Sequence, residues 1–200
     1  HGIYYSYGNS HGDLNIDFTH YYCPGHLKPN KYTIQYIGNN STGGNTNSSI
    51  HEYDTPKKLN KNEFERKYTV TYNHNYEGSS NIEKISTYKF QDWNTSANGT
   101  GTTYTDQEEV MNLTTEENGT VNLYAIWNPE SITYTPTRKG YKLEGWYTDS
   151  SLTNKVVDGN ENYTPTEDIT LYAKWIVDEE QTKNLSYTVE YYKDNTKVEE

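Results

Sequence analysis

The feature that most constrains this chain of 200 residues is an internal repeat marked by paired tryptophans. Residues 141–148, YKLEGWYT, align with residues 88–95, YKFQDWNT, and residues 171–175, LYAKW, align with residues 123–127, LYAIW. A repeated segment of this length usually folds as one structural unit, so the repeat predicts small tandem modules. Each copy holds an early and a late tryptophan, and these are Trp93, Trp127, Trp146 and Trp175.

A second recurring signature has the alternation of a β-strand. It occurs as YTIQY at residues 32–36, YTVTY at 68–72 and YTVEY at 187–191. In each, the two tyrosines and the central Ile or Val fall on one face, which is the pattern of a half-buried strand. Helix has little support, because the two candidate segments at residues 55–59 and 106–113 allow only short turns. The chain is therefore predicted to be mainly β.

The composition indicates that aromatic rings supply much of the core. Only 31% of the residues are hydrophobic, and the chain has 22 Tyr and 4 Trp against 3 Phe and 1 Met. Tyr and Trp bury large areas while keeping a polar tip, so they suit thin sheets with one wet face.

These motifs resemble a known family. Residues 140–149, GYKLEGWYTD, and residues 168–175, DITLYAKW, are similar to the Listeria–Bacteroides repeat, also called the internalin B-repeat. The lead-in PTRK at residues 136–139 fits the same pattern, and the resemblance extends over about residues 32–176. The resemblance implies tandem, small, β-grasp-like modules with short helices or none. The implied fold class is mainly β, or at most a β-rich α+β class.

Departures from the repeat give the predicted domain organisation. The second copy lacks a clear opening strand after Trp127, so residues 132–134, ITY, must serve in its place or that module is incomplete. The chain starts with HGI rather than with a secretion signal, and we expect it to be cut from a longer protein. The predicted segments are a tail of a preceding segment at 1–31, a module at 32–128 with an inserted hairpin at about 68–86, a second module at 129–176, a linker at 177–185 and the start of a further module at 186–200.

The tryptophans can be interpreted as core or as stacking platforms for carbohydrate, and the spacing favours core. Leu171, Ala173 and Trp175 share one face of their strand, and the other copy repeats Leu, Ala and Trp there while the opposite face changes. The four tryptophans are thus predicted structural core markers. Contact with a ligand is expected instead from tyrosines on the opposite face, and the speculative ligand-binding residues are Tyr124, Tyr147 and Tyr172.

The N-terminal stretch is the only one that hints at metal chemistry. His20, Cys23 and His26 are residue types that bind zinc. A structural zinc site usually takes four ligands from paired two-residue spacings, so an unpaired tail is the favoured interpretation, and no metal or cofactor is expected. Phosphate-loop, zinc-protease and serine-nucleophile motifs are missing, so the chain is not expected to be an enzyme.

Charge and cysteine content narrow the partners and the location. The net charge of -11 argues against nucleic acid, which is bound through clustered Lys and Arg. One cysteine permits no internal disulfide, and no apolar run reaches the roughly 20 residues needed to span a membrane. The resemblance implies an extracellular location, either secreted or on a bacterial cell surface.

The function implied by the resemblance is display at that surface. The chain is expected to be a non-catalytic repeat region that acts as a spacer or stalk and that could also take part in adhesion. The alternatives are an adhesin module that binds a glycan or protein of a host or neighbouring cell, and an accessory region of a secreted enzyme. Other repeat modules of the same chain are expected as further partners.

Overall fold

The structure, a computed structural model, describes residues 29–182 and 186–198. These residues form β-strands joined by turns and contain no helix, so the prediction of a mainly β chain is confirmed. The strands are β1 (Lys31–Ile37), β2 (Gly43–Gly44), β3 (Ser49–Glu52), β4 (Lys57–Lys58), β5 (Phe64–Asn73), β6 (Ile82–Asn94), β7 (Thr103–Tyr104), β8 (Glu109–Val110), β9 (Thr120–Asn128), β10 (Tyr141–Tyr147), β11 (Lys155–Asp158), β12 (Ile169–Val177), β13 (Tyr192–Lys193) and β14 (Thr196–Lys197).

Ten of these strands join one sheet. Its order is β11-β10-β12-β5-β6-β9-β1-β3, with β2 paired to β5 and β7 paired to β6. Two small ladders, β4 with β8 and β13 with β14, lie outside it. Within the sheet, β1 runs parallel to β9 and β5 runs parallel to β12, while the other pairs are antiparallel.

The sheet contains the same arrangement twice. The first module has the order β3-β1-β9-β6-β7, and the second has the order β6-β5-β12-β10-β11. In each, the opening strand lies parallel to the LYAxW strand that ends the module. We call the remainder of each module, which carries both tryptophans, its Trp-pair half: residues 88–128 in the first module and 141–177 in the second.

The two modules are interleaved along the chain by the long hairpin of β5 and β6. Tyr68 to Tyr72 of β5 open the second module, although residues 88–128 of the first module follow them in sequence. The structure therefore divides the chain differently from the predicted ranges 32–128 and 129–176. Residues 132–134 do not replace the opening strand, since Ile132 makes only an isolated bridge to Tyr163.

The hairpin takes the place of a tight turn. In the second module, Arg138 bridges to Tyr141 across a turn in which Gly140 has a φ of 78°. In the first module, Arg66 pairs with Tyr88 in the same way, but residues 67–87 lie between them. A turn in one repeat has thus become the place where the next repeat begins.

Two hydrophobic clusters form the cores, one in each module. Alternate residues of the opening strand and of the LYAxW strand point into each cluster, as the period of two requires. The first cluster has at its centre Tyr32, Ile34, Tyr36, Leu59, Trp93, Val110, Leu123 and Ala125. The second has Val70, Tyr72, Trp146, Leu171 and Ala173.

A β-bulge precedes the early tryptophan in both modules. The register shifts between Phe90 and Asp92 in β6 and between Leu143 and Gly145 in β10. One extra residue moves the following side chains to the opposite face. The bulge therefore explains how Trp93 and Trp146 reach the same face as the aromatic or aliphatic residue three positions earlier.

The two segments considered for short helices pair with each other instead. Lys57 and Lys58 of β4 lie opposite Val110 and Glu109 of β8. Gln107 has a φ of 59°, a value that interrupts a right-handed helix. The pairing brings Leu59 and Val110 into the first core, where both are buried.

Candidate functional site

The two arginines of the chain, Arg66 and Arg138, mark equivalent places on the two modules. Each lies across an antiparallel pairing from the tyrosine that begins the Trp-pair half. The guanidinium carbon is 4.5 Å from the ring centroid of Tyr88 in one case and 3.9 Å from that of Tyr141 in the other. These distances are within the range of cation–π attraction, so both modules carry the same stacked pair.

The late tryptophan is held beside each of these pairs. Trp127 Nε1 donates to the carbonyl of Gly38 at 2.9 Å, and Trp175 Nε1 donates to the carbonyl of His74 at 2.7 Å. Both rings are half-buried. The indole N–H is thereby satisfied by the turn that follows the opening strand, and one part of the ring remains available for contact.

An asparagine fixes the same turn from the other side. Asn39 Nδ2 donates to the carbonyl of Ala125 at 2.9 Å, and Asn75 Nδ2 donates to that of Ala173 at 3.3 Å. Both asparagines have a positive φ, which asparagine tolerates better than most residues. The turn is therefore attached to the LYAxW strand through a side-chain amide in both modules.

The space beside the stacked Arg–Tyr pair and the late tryptophan is filled in the second module and open in the first. In the second module, the ring of Tyr76 lies 4.7 Å from the Arg138 guanidinium carbon and 6.1 Å from the Trp175 ring. Asn40 stands at the corresponding position of the first module. There the structure has an open cleft of about 440 Å³, which we call the Arg66 cleft. It is lined by Asn62, Phe64, Glu65, Arg66, Lys67, Thr87, Tyr88, Phe90 and Trp127.

The Arg66 cleft combines aromatic surfaces with positive charge. Lys67 pairs with Glu65 at 3.0 Å, and Arg66 Nε donates to the hydroxyl of Tyr68 at 3.2 Å. Among residues 29–182 and 186–198, the ion pairs formed by carboxylates all involve lysines, not either arginine. Such a cleft can hold a planar or sugar ring against Phe90 or Trp127, with a polar group directed to Arg66.

The three tyrosines proposed from the sequence do not form one surface. Tyr147 and Tyr172 are cross-strand neighbours in the second module. Tyr124 lies on β9 in the first module, and β5 and β6 separate that strand from β12. Tyr124 and Tyr172 are each half-buried.

Tyr147, one of the three tyrosines from which contact with a ligand was expected, is covered by neighbouring side chains. Its side chain is only 4% exposed. The hydroxyl donates to Glu144 at 2.8 Å, and Lys174 lies over the ring at 5.3 Å from its centroid. Long charged side chains thus cover a ring that points away from the core, as their apolar stems allow.

The covering groups form a small charge network. Lys155 Nζ contacts Glu144 at 3.1 Å and also pairs with Asp158, and these carboxylates, Asp158 first, raise the pKa of the lysine. Burial works to raise the pKa of Glu144, but hydrogen bonds from Tyr147 and Lys155 outweigh it and hold that pKa below its usual range. The network keeps both charged forms in place and holds β11 against β10.

Residues 127–174 match the family model of the Listeria-Bacteroides repeat domain. The second module therefore carries a Listeria–Bacteroides repeat, and the resemblance is confirmed for this part of the chain. The match to the Listeria–Bacteroides repeat begins at Trp127 and leaves out Tyr68 to Tyr72, which supply the opening strand. Neither the curated proteins nor the solved structures gave a match to this chain.

The tryptophans differ in burial between the early and the late positions. Trp93 is fully buried and Trp146 is 2% exposed, and each packs at the centre of its core. Trp127 and Trp175 are only partly buried and lie at the edge of the same clusters. In the Listeria–Bacteroides repeat of the second module, the early tryptophan is the deeper core residue.

The sequence did not point to the arginines, although a signal was present. Arg66-Lys67 and Arg138-Lys139 are the same dipeptide placed before the two copies of the Trp-pair half, and the chain has no other arginine. The long insertion after Lys67 concealed the correspondence. The possible zinc ligands His20, Cys23 and His26 lie outside the described residues, and within the described ranges no group of three metal-binding side chains occurs.

Proposed function

We propose that this chain is a non-catalytic repeat region of a bacterial cell-surface protein and that it acts as a spacer. The match to the Listeria-Bacteroides repeat domain suggests a repeat domain of a surface protein, a family that is generally non-catalytic. The observation that carries the spacer role is the sharing of β5 and β6 by both modules. A shared hairpin gives the two modules a fixed relative position without a linker between them.

Stiffness between the modules tests this proposal. Spin labels at Ile50→Cys in β3 and Val156→Cys in β11, with Cys23→Ser, would report distances across the sheet by double electron–electron resonance. Both positions are exposed. The expected result is one narrow distance distribution.

A matched pair within the first module, Ile50→Cys with Met111→Cys, gives the width for a single folded unit. Met111 is also exposed. A distribution between the modules that is much broader than this reference would contradict a stiff spacer.

The Arg66 cleft supports adhesion as a second candidate function. Its ligand would be a glycan or protein of a host or neighbouring cell, and the aromatic lining with an arginine free of carboxylates suits a sugar ring that bears a carboxylate. This role would place the chain among adhesin modules at the cell surface. The half-buried Tyr124 and Tyr172 remain further candidates for contact.

Binding to a glycan array separates adhesion from the spacer role. Saturable binding that is lost in Arg66→Ala and kept in Arg138→Ala would support the cleft, because Tyr76 already occupies the second place. Loss in Tyr172→Ala instead would move the contact to the tyrosine face. If no binding to glycan arrays or to host-cell extracts is detected, only the spacer role remains.

A further inference from the structure

The third opening signature, residues 187–191, lies outside both cores. Tyr187 is 85% exposed, Val189 is 54% exposed and Tyr191 is 65% exposed. The corresponding side chains of the two modules are exposed by 9% or less. They are Tyr32, Ile34 and Tyr36 in the first module and Tyr68, Val70 and Tyr72 in the second. One alternating apolar face is therefore left uncovered in a sequence that is buried at both of its other occurrences.

The backbone after this segment follows the same course as in the first module. Asp194 and Asn195 have φ values of 47° and 62°, and Asn39 and Asn40 have 47° and 67°. These residues stand at the third and fourth positions after the last tyrosine of the signature in both cases. The chain then turns back through β13 and β14, and Val198 N donates to the carbonyl of Tyr191 at 2.7 Å.

The partner of an opening strand is the same in both modules. β1 pairs in parallel with β9, and β5 pairs in parallel with β12, so each opening strand binds a LYAxW strand. Both LYAxW strands of the described chain are therefore occupied. Main-chain hydrogen bonds along such an edge give affinity, and the alternate side chains give specificity.

We propose that residues 187–198 form a donor hairpin that docks on another Trp-pair half, one whose LYAxW edge is vacant. Tyr187, Val189 and Tyr191 enter the core of that half, as the tyrosines and Ile or Val do in the described modules. The partner is thus a protein segment with the pattern of residues 141–177. A spacer and an adhesin would use such a joint alike.

One residue departs from the pattern. Asn39 and Asn75 donate a side-chain amide to the LYAxW strand, but Asp194 stands at this position in the donor hairpin. An ionised carboxylate has no donor and would face a carbonyl oxygen. The donor hairpin is therefore expected to dock less tightly than β5 does.

A graft into the existing second module tests whether the signature can serve as an opening strand. Residues 68–75, YTVTYNHN, become residues 187–194, YTVEYYKD, through four substitutions: Thr71→Glu, Asn73→Tyr, His74→Lys and Asn75→Asp. The readout is amide hydrogen exchange in β10 and β12, measured by mass spectrometry. We expect protection to be retained at a reduced level, and the three-substitution version that keeps Asn75 to regain part of the difference. Adding Val70→Asp to the graft should abolish protection.

Docking between separate chains tests the partner. In the acceptor variant, residues 68–87 are replaced by one glycine and the chain ends at Thr182, which removes both the opening strand of the second module and the variant's own donor hairpin and leaves the LYAxW edge vacant. A peptide of residues 186–198 should restore protection in β10 and β12 of this variant, as a peptide of residues 68–81 should. The intact chain, whose edges are filled, should not bind the peptide.

Each outcome decides for or against the donor hairpin. Loss of protection in the graft overturns it, as does a peptide of residues 186–198 that fails where the peptide of residues 68–81 succeeds. Binding of the peptide to the intact chain also overturns it, because a vacant edge would then be unnecessary. If neither peptide binds the acceptor variant, the protection of β10 and β12 in the graft decides by itself.

Discussion

The two modules share their strand order, their bulge and the contacts of their late tryptophan, but they differ at one turn. The second module closes this turn with Gly140, and the first opens it into the hairpin of β5 and β6. The rest of the first module tolerates this insertion, because Arg66 and Tyr88 still pair across it. The comparison shows that the opening strand of one repeat can be inserted into a turn of the repeat before it.

The largest expected effect comes from removing that difference. The acceptor variant, in which one glycine replaces residues 68–87 and the chain ends at Thr182, gives the first module the Arg-Lys-Gly-Tyr turn of the second. The second module loses Val70 and Tyr72 from its core and the ladder to β12, so we expect it to unfold while the first stays folded. Hydrogen exchange of β9 and β12 measures the two separately. Unfolding of the first module with β12 still protected would assign the hairpin to the first module.

The early tryptophans provide the next largest effect. Trp93→Ala and Trp146→Ala each remove a buried ring from one core, at a cost of about 3–5 kcal/mol. The free energy of unfolding, taken from denaturant titrations, checks the magnitude, and hydrogen exchange shows which module is affected. Trp175→Ala serves as the control, because that half-buried ring should cost less than Trp146.

Gly145 sharpens the comparison at the sheet edge. A Cβ at this position would lie 2.7 Å from the carbonyl oxygen of Val157, so Gly145→Ala should push β11 away at a cost of about 1–3 kcal/mol. Asp92 is the equivalent residue of the first module, where β7 pairs only with Trp93 and Asn94. Thermal unfolding should therefore show a smaller change for Asp92→Ala. Equal losses would mean that the close approach of β11 is not the cause.

The smallest expected effect is a difference in pH dependence. His51 lies opposite Tyr32 in the first module, and Ser86 lies opposite Tyr68 in the second. Burial, with the charge of Lys57, lowers the pKa of His51. The folded state thus favours the neutral form of the His51 imidazole. Its contribution is complete above about pH 6.5, the pKa of an unperturbed histidine, and is lost as the pH falls through the lowered pKa.

Unfolding titrations between pH 7 and pH 5 would measure this loss, and His51→Ser would supply the comparison with the second module. The substitution lowers stability at neutral pH because it leaves a cavity, but the dependence on pH should become shallower. An unchanged slope would place the titrating group elsewhere.

The strands and the cores could be predicted from the sequence because their signals are local. Alternation placed the tyrosines and Ile or Val of residues 32–36 and 68–72 on one face, and these side chains are buried. The partner of the second strand could not be predicted. The segments LYAIW and LYAKW have nearly the same sequence, so the local pattern does not show which of them pairs with β5. That pairing depends on contacts between residues far apart in the chain.

The candidate site was harder to predict for two physical reasons. Tyr147 points away from the core as its position suggests, but Glu144 and Lys174 lie over it, and pattern does not show how long side chains fold back. The Arg66 cleft lies in the module that has Asn40 at the position of Tyr76, the residue whose ring packs beside Arg138 and Trp175 in the second module. A sequence does not reveal a cleft directly. Only a position-by-position alignment of the two modules shows that the first has a smaller residue where the second has Tyr76.

The parallel pairing of β1 with β9 and of β5 with β12 determines how the chain would carry tension. The four strands run in the same direction, so the described sheet is entered at the start of β1 and left at the end of β12, at opposite ends of the strands. A pull on Lys31 and Val177 slides the strands past one another, and their hydrogen bonds are sheared together rather than opened one by one. If the first ladder gives way, the pull passes along β5 to the second ladder, which is already aligned to receive it.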